Sequence, residues 1–197
     1  MCSSDLTGIR SLMRQDPDVI LVGEIRDEDT ATMAIRAAMT GHQVYATLHA
    51  NSVFGAIPRL LDIGVEKSIL SGNIIGILAQ RLVRKLCTHC KTPYDASDFE
   101  KQLMGYDVNQ PLKLHKATGC QRCANTGYKG RVSVVEVLRF DTELDEMVLQ
   151  GISGKPFVER AYAKGFQSMA SMGFRLVFDG TTSLEELARV IDLTEFV

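Results

Sequence analysis

Two Cys-x-x-Cys pairs, Cys87-Thr88-His89-Cys90 and Cys120-Gln121-Arg122-Cys123, constrain this chain more than any other feature. Four thiolates from two such knuckles match a closed tetrahedral Zn2+ site, so any fold that forms it must bring both pairs to one point. A closed site has no open ligand position, which makes the metal structural rather than catalytic. In small modules such binding supplies ~10–16 kcal/mol, enough to decide folding locally. Lys91 and Gly127 follow the pairs, where knuckles turn tightly. The span over 91–119 exceeds that of the commonest zinc ribbon, so a small subdomain must fill it. Its Tyr94, Phe99, Leu103, Met104, Tyr106, Leu112 and Leu114 are candidates for a miniature core. His89 and His115 are not needed as ligands, and Cys2 is left over. Cysteines paired in this way indicate metal binding in a reducing compartment rather than a disulfide frame.

The rest of the composition excludes several classes. With 197 residues, 45% of them hydrophobic and 23% charged, the chain reads as an ordinary globular protein of one or two domains. A formal charge of −2 gives no global pull toward nucleic acid. No apolar run is long enough to span a bilayer, and no signal peptide opens the sequence, so a cytoplasmic location is expected. Zinc ribbons often bind nucleic acid, but here the Lys and Arg between the pairs are scattered, with few aromatics placed for base stacking.

A second constraint lies in Met13-Arg-Gln-Asp-Pro-Asp-Val-Ile-Leu-Val-Gly-Glu-Ile-Arg-Asp27. Asp16-Pro17 stops what precedes it. Val19 to Val22 then reads as a strand buried on both faces, as in a parallel sheet. Gly23 and Glu24 follow at its carboxyl end, where open α/β sheets place ligands and catalytic groups. A carboxylate there has the layout of a Walker B element, which helps place a metal ion or orients an attacking water. Read alone, the pattern also fits a core strand that ends in a surface glutamate.

Arg14, Asp16, Pro17, Asp18, Gly23, Glu24, Arg26 and Asp27 together resemble the signature of the type II secretion and type IV pilus assembly ATPases. Further strings agree. Gly41-His-Gln-Val-Tyr-Ala-Thr-Leu-His49-Ala-Asn-Ser52 is similar to that family's His box. Leu78-Ala-Gln-Arg-Leu-Val-Arg-Lys-Leu-Cys87, Gly127-Tyr-Lys-Gly-Arg131 and Gly180-Thr-Thr-Ser-Leu-Glu-Glu-Leu187 also resemble it. The resemblance runs from about Thr7 to about Ile191. It implies an α/β fold: a partial RecA-like P-loop ATPase core over 1–86, a tetracysteine zinc subdomain over 87–126, and a carboxyl-terminal strand and helical bundle over 127–197.

Along the chain the local patterns are helix over Leu6 to Gln15 with Arg10 and Arg14 on one face, alanine-rich helix over Glu28 to Thr40, and strand over Val44 to Leu48. Pro58 either opens the next helix or kinks it. Glu66 to Val83, with Ile69, Leu70, Ile74, Ile77, Leu78 and Leu82, reads as a long helix on which Gly72 and Gly76 permit close backbone approach. Arg81, Arg84 and Lys85 form a local basic patch, of which Arg84 and Lys85 read as a solvated helix end. Val132 to Leu138 reads as a strand. Helices follow over Asp141 to Gln150, Pro156 to Lys164, Met169 to Phe178 and Ser183 to Ile191, the last opened by a Ser183-x-x-Glu186 capping box.

The resemblance implies Mg2+-dependent ATP hydrolysis in a hexameric ring that drives pilus assembly or type II secretion. Glu24, His49 and Arg26 are the implied catalytic residues, and Arg10, Arg14 and Arg131 the implied nucleotide contacts. Taken singly, Arg10 and Arg14 also read as solvated surface arginines, Arg131 as a turn residue and His49 as structural. The implied cofactors are ATP, Mg2+ and Zn2+, the last on Cys87, Cys90, Cys120 and Cys123. The implied partners are further copies of the chain, an inner-membrane platform protein, and the amino-terminal part of the ATPase; neither nucleic acid nor a membrane span is expected. No Gly-x-x-x-x-Gly-Lys-Ser/Thr occurs in the sequence. The chain is therefore expected to represent the carboxyl-terminal portion of such an ATPase, inactive alone and peripheral to the inner membrane. A zinc-bearing interaction module or truncated regulator remains the alternative, and a nucleic-acid-binding zinc ribbon a third.

Overall fold

The computed structural model describes Gly8, Ser11, Gln15 and residues 17–193. Arg10, Arg14, Cys2 and most of the helix expected over 6–15 lie outside the described residues. The chain divides into two compact units, one of residues 1–78 with 137–166, the other of 79–136 with 167–197.

The first unit is built on a β-α-β crossover. Strand β1 (Val19–Ile25) pairs in parallel with β2 (Gln43–Leu48), and helix α1 (Glu28–Met39) connects them. Asp27 caps α1 by accepting from the Thr30 amide at 2.8 Å, and Glu28 and Asp29 in the first turn complement the helix dipole. Ile20 and Val22 pack with Ala34 and Ala37 of α1, against which Ile25, Met33 and Val44 also lie. The expectation of a strand buried on both faces fails here. β1 alternates, and Val19, Leu21 and, on β2, Tyr45 are exposed at 57%, 75% and 57%. Among the described residues the buried cluster on this sheet draws its helical members from α1 alone, so one face is covered and the other is bare.

Helix α2 (Val53–Asp62) starts at a Ser52 cap, so Pro58 lies inside it rather than opening it. The long helix expected over Glu66 to Val83 does not form. A short α3 (Lys67–Leu70) ends where Gly72 takes φ +76°, and the chain then extends as β3 (Gly76–Leu86). The apolar residues fit a 3.6 spacing, but pairing with β6 (Tyr128–Arg139) overrides it. Gly76 does serve close approach, because a Cβ there would lie 3.1 Å from the Leu138 carbonyl oxygen. Helices α5 (Thr142–Gln150) and α6 (Lys155–Ala163) complete this unit. They are linked by Lys164 to Asp141 and Glu143 and by Arg160 to Glu143, an exposed network of modest worth.

The second unit holds an antiparallel pair, β4 (Thr92–Asp95) and β5 (Lys113–Lys116), and helices α4 (Asp98–Leu103), α7 (Met169–Phe178) and α8 (Leu184–Val190). Leu103, Met104 and Leu114 do not form a miniature core of their own. They join Val83, Val134, Phe174, Val177, Leu184 and Leu187 in one buried cluster, and Phe99 is left exposed.

At the start of α8 the capping box is only half made. Ser183 Oγ accepts from the Glu186 amide at 3.1 Å, but the Glu186 carboxylate turns elsewhere. It accepts from the Arg84 amide at 3.0 Å, from Arg84 Nη2 at 2.6 Å, and from Arg189 Nε and Nη2, each at 2.8 Å. The Arg84 guanidinium also lies 4.1 Å from the centre of the Tyr128 ring, whose hydroxyl meets Ser183 Oγ at 2.7 Å. Arg84 is thus a half-exposed strand residue tied to the buried Glu186 and not a solvated helix end. Burial alone would raise the Glu186 carboxyl, but these donors hold it down at about 2. With 4.5 as the ordinary value, its contribution to stability is complete above pH 4.5 and is lost as pH falls toward 2. Glu186→Gln is expected to cost on the order of 3 kcal/mol at neutral pH. It should also flatten the acid limb of stability between those two values. Thermal melts of both proteins at pH 7 and pH 3 check this, and equal pH dependence would sink it.

Candidate functional site

Three of the residues singled out in the sequence converge at the carboxyl end of the parallel pair. Glu24 stands in the last turn-out of β1, Arg26 just past the strand, and His49 just past β2. The Arg26 guanidinium donates to Glu24 Oε1, and His49 Nε2 lies 3.1 Å from Glu24 Oε2. Both carboxylate oxygens are therefore engaged. The parallel arrangement produces this meeting, because a crossover returns β2 alongside β1 in the same direction and puts both strand ends on one edge.

The electrostatics favour an ionised Glu24. The Arg26 hydrogen bond is the largest influence, and with the Arg26 charge and the His49 contact it outweighs partial desolvation and lowers the carboxyl below its ordinary range. An ionised carboxylate accepts hydrogen bonds only, so it can hold a water or a cation but not donate a proton. Arg26 and His49 side chains are 73% and 88% exposed, which leaves both on the solvent side of the carboxylate. Nothing lies within 4 Å of where a Gly23 Cβ would stand, so the space beside the carboxylate is open.

Arg131 lies in the second unit, on β6, exposed. Arg10 and Arg14 lie outside the described residues. Thr47 carries a contact to this site that strand pattern alone does not reveal: its hydroxyl donates to the Gly23 carbonyl. The pairing of β1 with β2 is visible only once register is known.

The second constellation is the cysteine cluster. The Sγ atoms of Cys87, Cys90, Cys120 and Cys123 all lie within 4.8 Å of one another. Cys90 to Cys123 and Cys120 to Cys123 are 3.8 Å apart, and Cys87 to Cys120 is 4.0 Å. Four sulfurs each ~2.3 Å from one centre would be separated by ~3.8 Å, so the cluster has tetrahedral edges and not disulfide spacings. The backbone is folded to serve it. The amides of Cys120 and Gly127 donate to Cys123 Sγ, both at 3.2 Å. Burial works against a charged Cys123, yet those amides hold its thiol down at about 6. Burial pushes Cys90 up to about 12. A Cβ on Gly127, at φ +75°, would collide with Ala117, so only glycine permits this turn. The donor set fits a soft tetrahedral metal ion.

A parallel β-α-β unit with a carboxylate, an arginine and a histidine gathered at its strand ends, joined in sequence to a four-cysteine cluster, defines a mixed α/β protein whose charged group stands where open α/β sheets place ligands. The family model described as Type II/IV secretion system protein matches residues 5–189, and the chain belongs to that family. It is 45% identical over 183 residues to Type II secretion system protein E of Pseudomonas aeruginosa, covering 93% of this chain and 36% of that protein. It is 44% identical over 192 residues to the type IV pilus assembly ATPase TfpB of Acinetobacter baylyi, covering 95% of this chain and 32% of that protein. The chain thus spans about a third of the length of these relatives. Among solved structures, the pilus retraction motor PilT with bound ADP matches with a TM-score of 0.64 and 25% identity over 99% of this chain and 44% of PilT. The Legionella pneumophila ATPase DotB gives a TM-score of 0.63 at 23% identity, over 95% of this chain and 42% of DotB, a likeness of fold. No helix among the described residues is long and apolar enough to cross a membrane.

Carbon-13 titration of the Glu24 carboxyl tests the site geometry directly. Its midpoint is expected below 4.5 and should rise toward that value in Arg26→Ala, because the largest lowering influence is removed. An unchanged midpoint would remove the Arg26 pair from the account.

Proposed function

We propose that this chain supplies the carboxyl-terminal part of an ATPase core that drives type II secretion or type IV pilus assembly. The observation that carries this reading is the Glu24 carboxylate at the end of β1, ionised and flanked by Arg26 and His49, in a chain of the Type II/IV secretion system protein family. In phosphoryl transfer the protein's work is positioning and charge stabilisation. Glu24, in the Walker B position, orients the attacking water. His49 hydrogen-bonds the γ-phosphate and reports its loss, and Arg26 offsets charge that develops on the transferred group. Arg10, Arg14 and Arg131 contact the nucleotide, Arg131 across a subunit boundary. The Mg2+ that accompanies ATP supplies charge neutralisation when bound.

Several further assignments belong to this reading. The four cysteines hold one Zn2+ as a structural metal. The working assembly is a hexameric ring, cytoplasmic and peripheral to the inner membrane, that acts on a platform protein there. An amino-terminal part with a phosphate-cradling loop is required, since the sequence contains no such loop. The exposed Val19, Leu21 and Tyr45 support that requirement, because they form the apolar face that a further layer of the core would cover. The cysteine cluster favours one other reading, a zinc-bearing interaction module without catalysis.

Zinc content and ATPase rate, measured on this chain alone and mixed with the amino-terminal part of the Pseudomonas aeruginosa protein E, separate the two. The expected result is one zinc per chain, lost in Cys123→Ser, and no turnover alone. Turnover should appear in the mixture and fall at least ~100-fold with Glu24→Gln. Zinc without activity in any mixture would favour the interaction module and withdraw the catalytic roles.

A further inference from the structure

We infer that Thr47 is a positioning residue for Glu24, acting through the Gly23 peptide; this rests on the catalytic reading of Glu24 given above. The β1–β2 register runs Val22↔Ala46 and then Ile25↔Leu48, so β1 carries one more residue than β2 over this stretch. That is a bulge, and a bulge interrupts the ladder locally and re-aims the side chain it carries. The residues inside it are Gly23 and Glu24, and the residue opposite is Thr47.

The Thr47 hydroxyl donates to the Gly23 carbonyl across this interruption. The Gly23–Glu24 peptide is therefore fixed by a side chain where the regular ladder breaks. Rotation of that peptide would swing Glu24 away from Arg26 and from His49, which follows Thr47 by two residues on the same strand end. Packing does not explain Thr47. Its side chain is exposed and contributes nothing to the buried cluster of Ile20, Val22, Ala34 and Ala37. Glycine at 23 adds to the need, since it has the least intrinsic restriction on the peptide that follows. An exposed hydroxyl spent on a bulge carbonyl next to a functional carboxylate has orientation as its consequence.

The inference makes Thr47→Val and Thr47→Ser different in kind. In the ATP-hydrolysing mixture, Thr47→Val is expected to lower kcat about 10-fold with KM for ATP within about 2-fold, the pattern of an interaction that matters in the transition state. Thr47→Ser keeps the hydroxyl and should return kcat to within about 2-fold of the parent. In a Glu24→Gln background Thr47→Val should add no further loss, because its effect passes through Glu24. Thr47→Ala is read in the same way should Thr47→Val melt early. A second readout needs no catalysis: in this chain alone, the carbon-13 titration midpoint of Glu24 should rise in Thr47→Val and return in Thr47→Ser. Glu24-dependent ATPase activity with an unmoved kcat and an unmoved Glu24 titration in Thr47→Val would overturn the inference and leave the ATPase reading intact. A Glu24 titration that moves as expected in a chain inactive in every mixture would overturn the ATPase reading and retain Thr47 as the residue that orients Glu24.

Discussion

The Glu186 carboxylate is the interaction on which the second unit depends. Its side chain is fully enclosed, yet it is charged, and a buried charge persists only when donors surround it. Those donors come from places far apart in sequence: the backbone and guanidinium of Arg84 on β3, and Arg189 one turn along α8. The Arg84 carbonyl in turn accepts from Thr182 at 2.8 Å, and the next strand residues continue as Leu86 donating to the Thr181 carbonyl at 2.8 Å. The end of β3 is thereby pinned to the loop before α8, directly ahead of Cys87. The first knuckle of the cysteine cluster starts from a backbone whose position is already set.

From that anchored start, the cluster needs only local turns. Cys87 donates to the Gly127 carbonyl at 2.9 Å, which ties the first knuckle to the turn that closes the second. Ala124 and Asn125 take left-handed φ of 50° and 60°, an uncommon conformation for residues with a Cβ. Such backbone persists where surrounding structure over-determines it. Here the amide-to-sulfur bonds onto Cys123 do so. Convergence of four thiolates would be unfavourable as a bare arrangement of charge, and these oriented amides favour the charged sulfur on the Cys123 side.

What could be read in the sequence follows from the range of the interactions. The alanine-rich helix α1, the strands on either side of it and the placement of Glu24 and His49 at strand carboxyl ends follow from local pattern and are legible, whereas the Asp27 cap and the Glu24–His49 contact emerge only in the structure. The cysteine pairs were legible because their spacing is itself the signal. The long helix expected over Glu66 to Val83 does not form beyond Leu70, because its apolar residues satisfy a helical period by coincidence and pairing with β6, far along the chain, draws Gly76 onward into a strand. The sequence pairs Glu186 with Ser183 in a local box, but its carboxylate bonds a residue 102 positions away. No local rule anticipates that choice. The Thr47 contact was likewise hidden, since it depends on a bulge whose existence is a matter of register.

The arrangement at the sheet edge also says what kind of partner chemistry the site lacks. Glu24, Arg26 and His49 provide one carboxylate and exposed groups able to meet negative charge. A polyphosphate is held chiefly by converging backbone amides at a glycine-rich loop and helix start, and the sequence has no such loop. On the proposed reading, the groups present would act on the terminal phosphate and the water, and the loop that would cradle the rest of the nucleotide does not occur in this sequence. On that reading, what this chain itself contributes is the fixed geometry of Glu24 between Arg26 and His49. In that reading the bulge at Gly23 matters as well as the ion pairs around it, because pairs on an exposed edge are worth little until the carboxylate they share is held in a single direction.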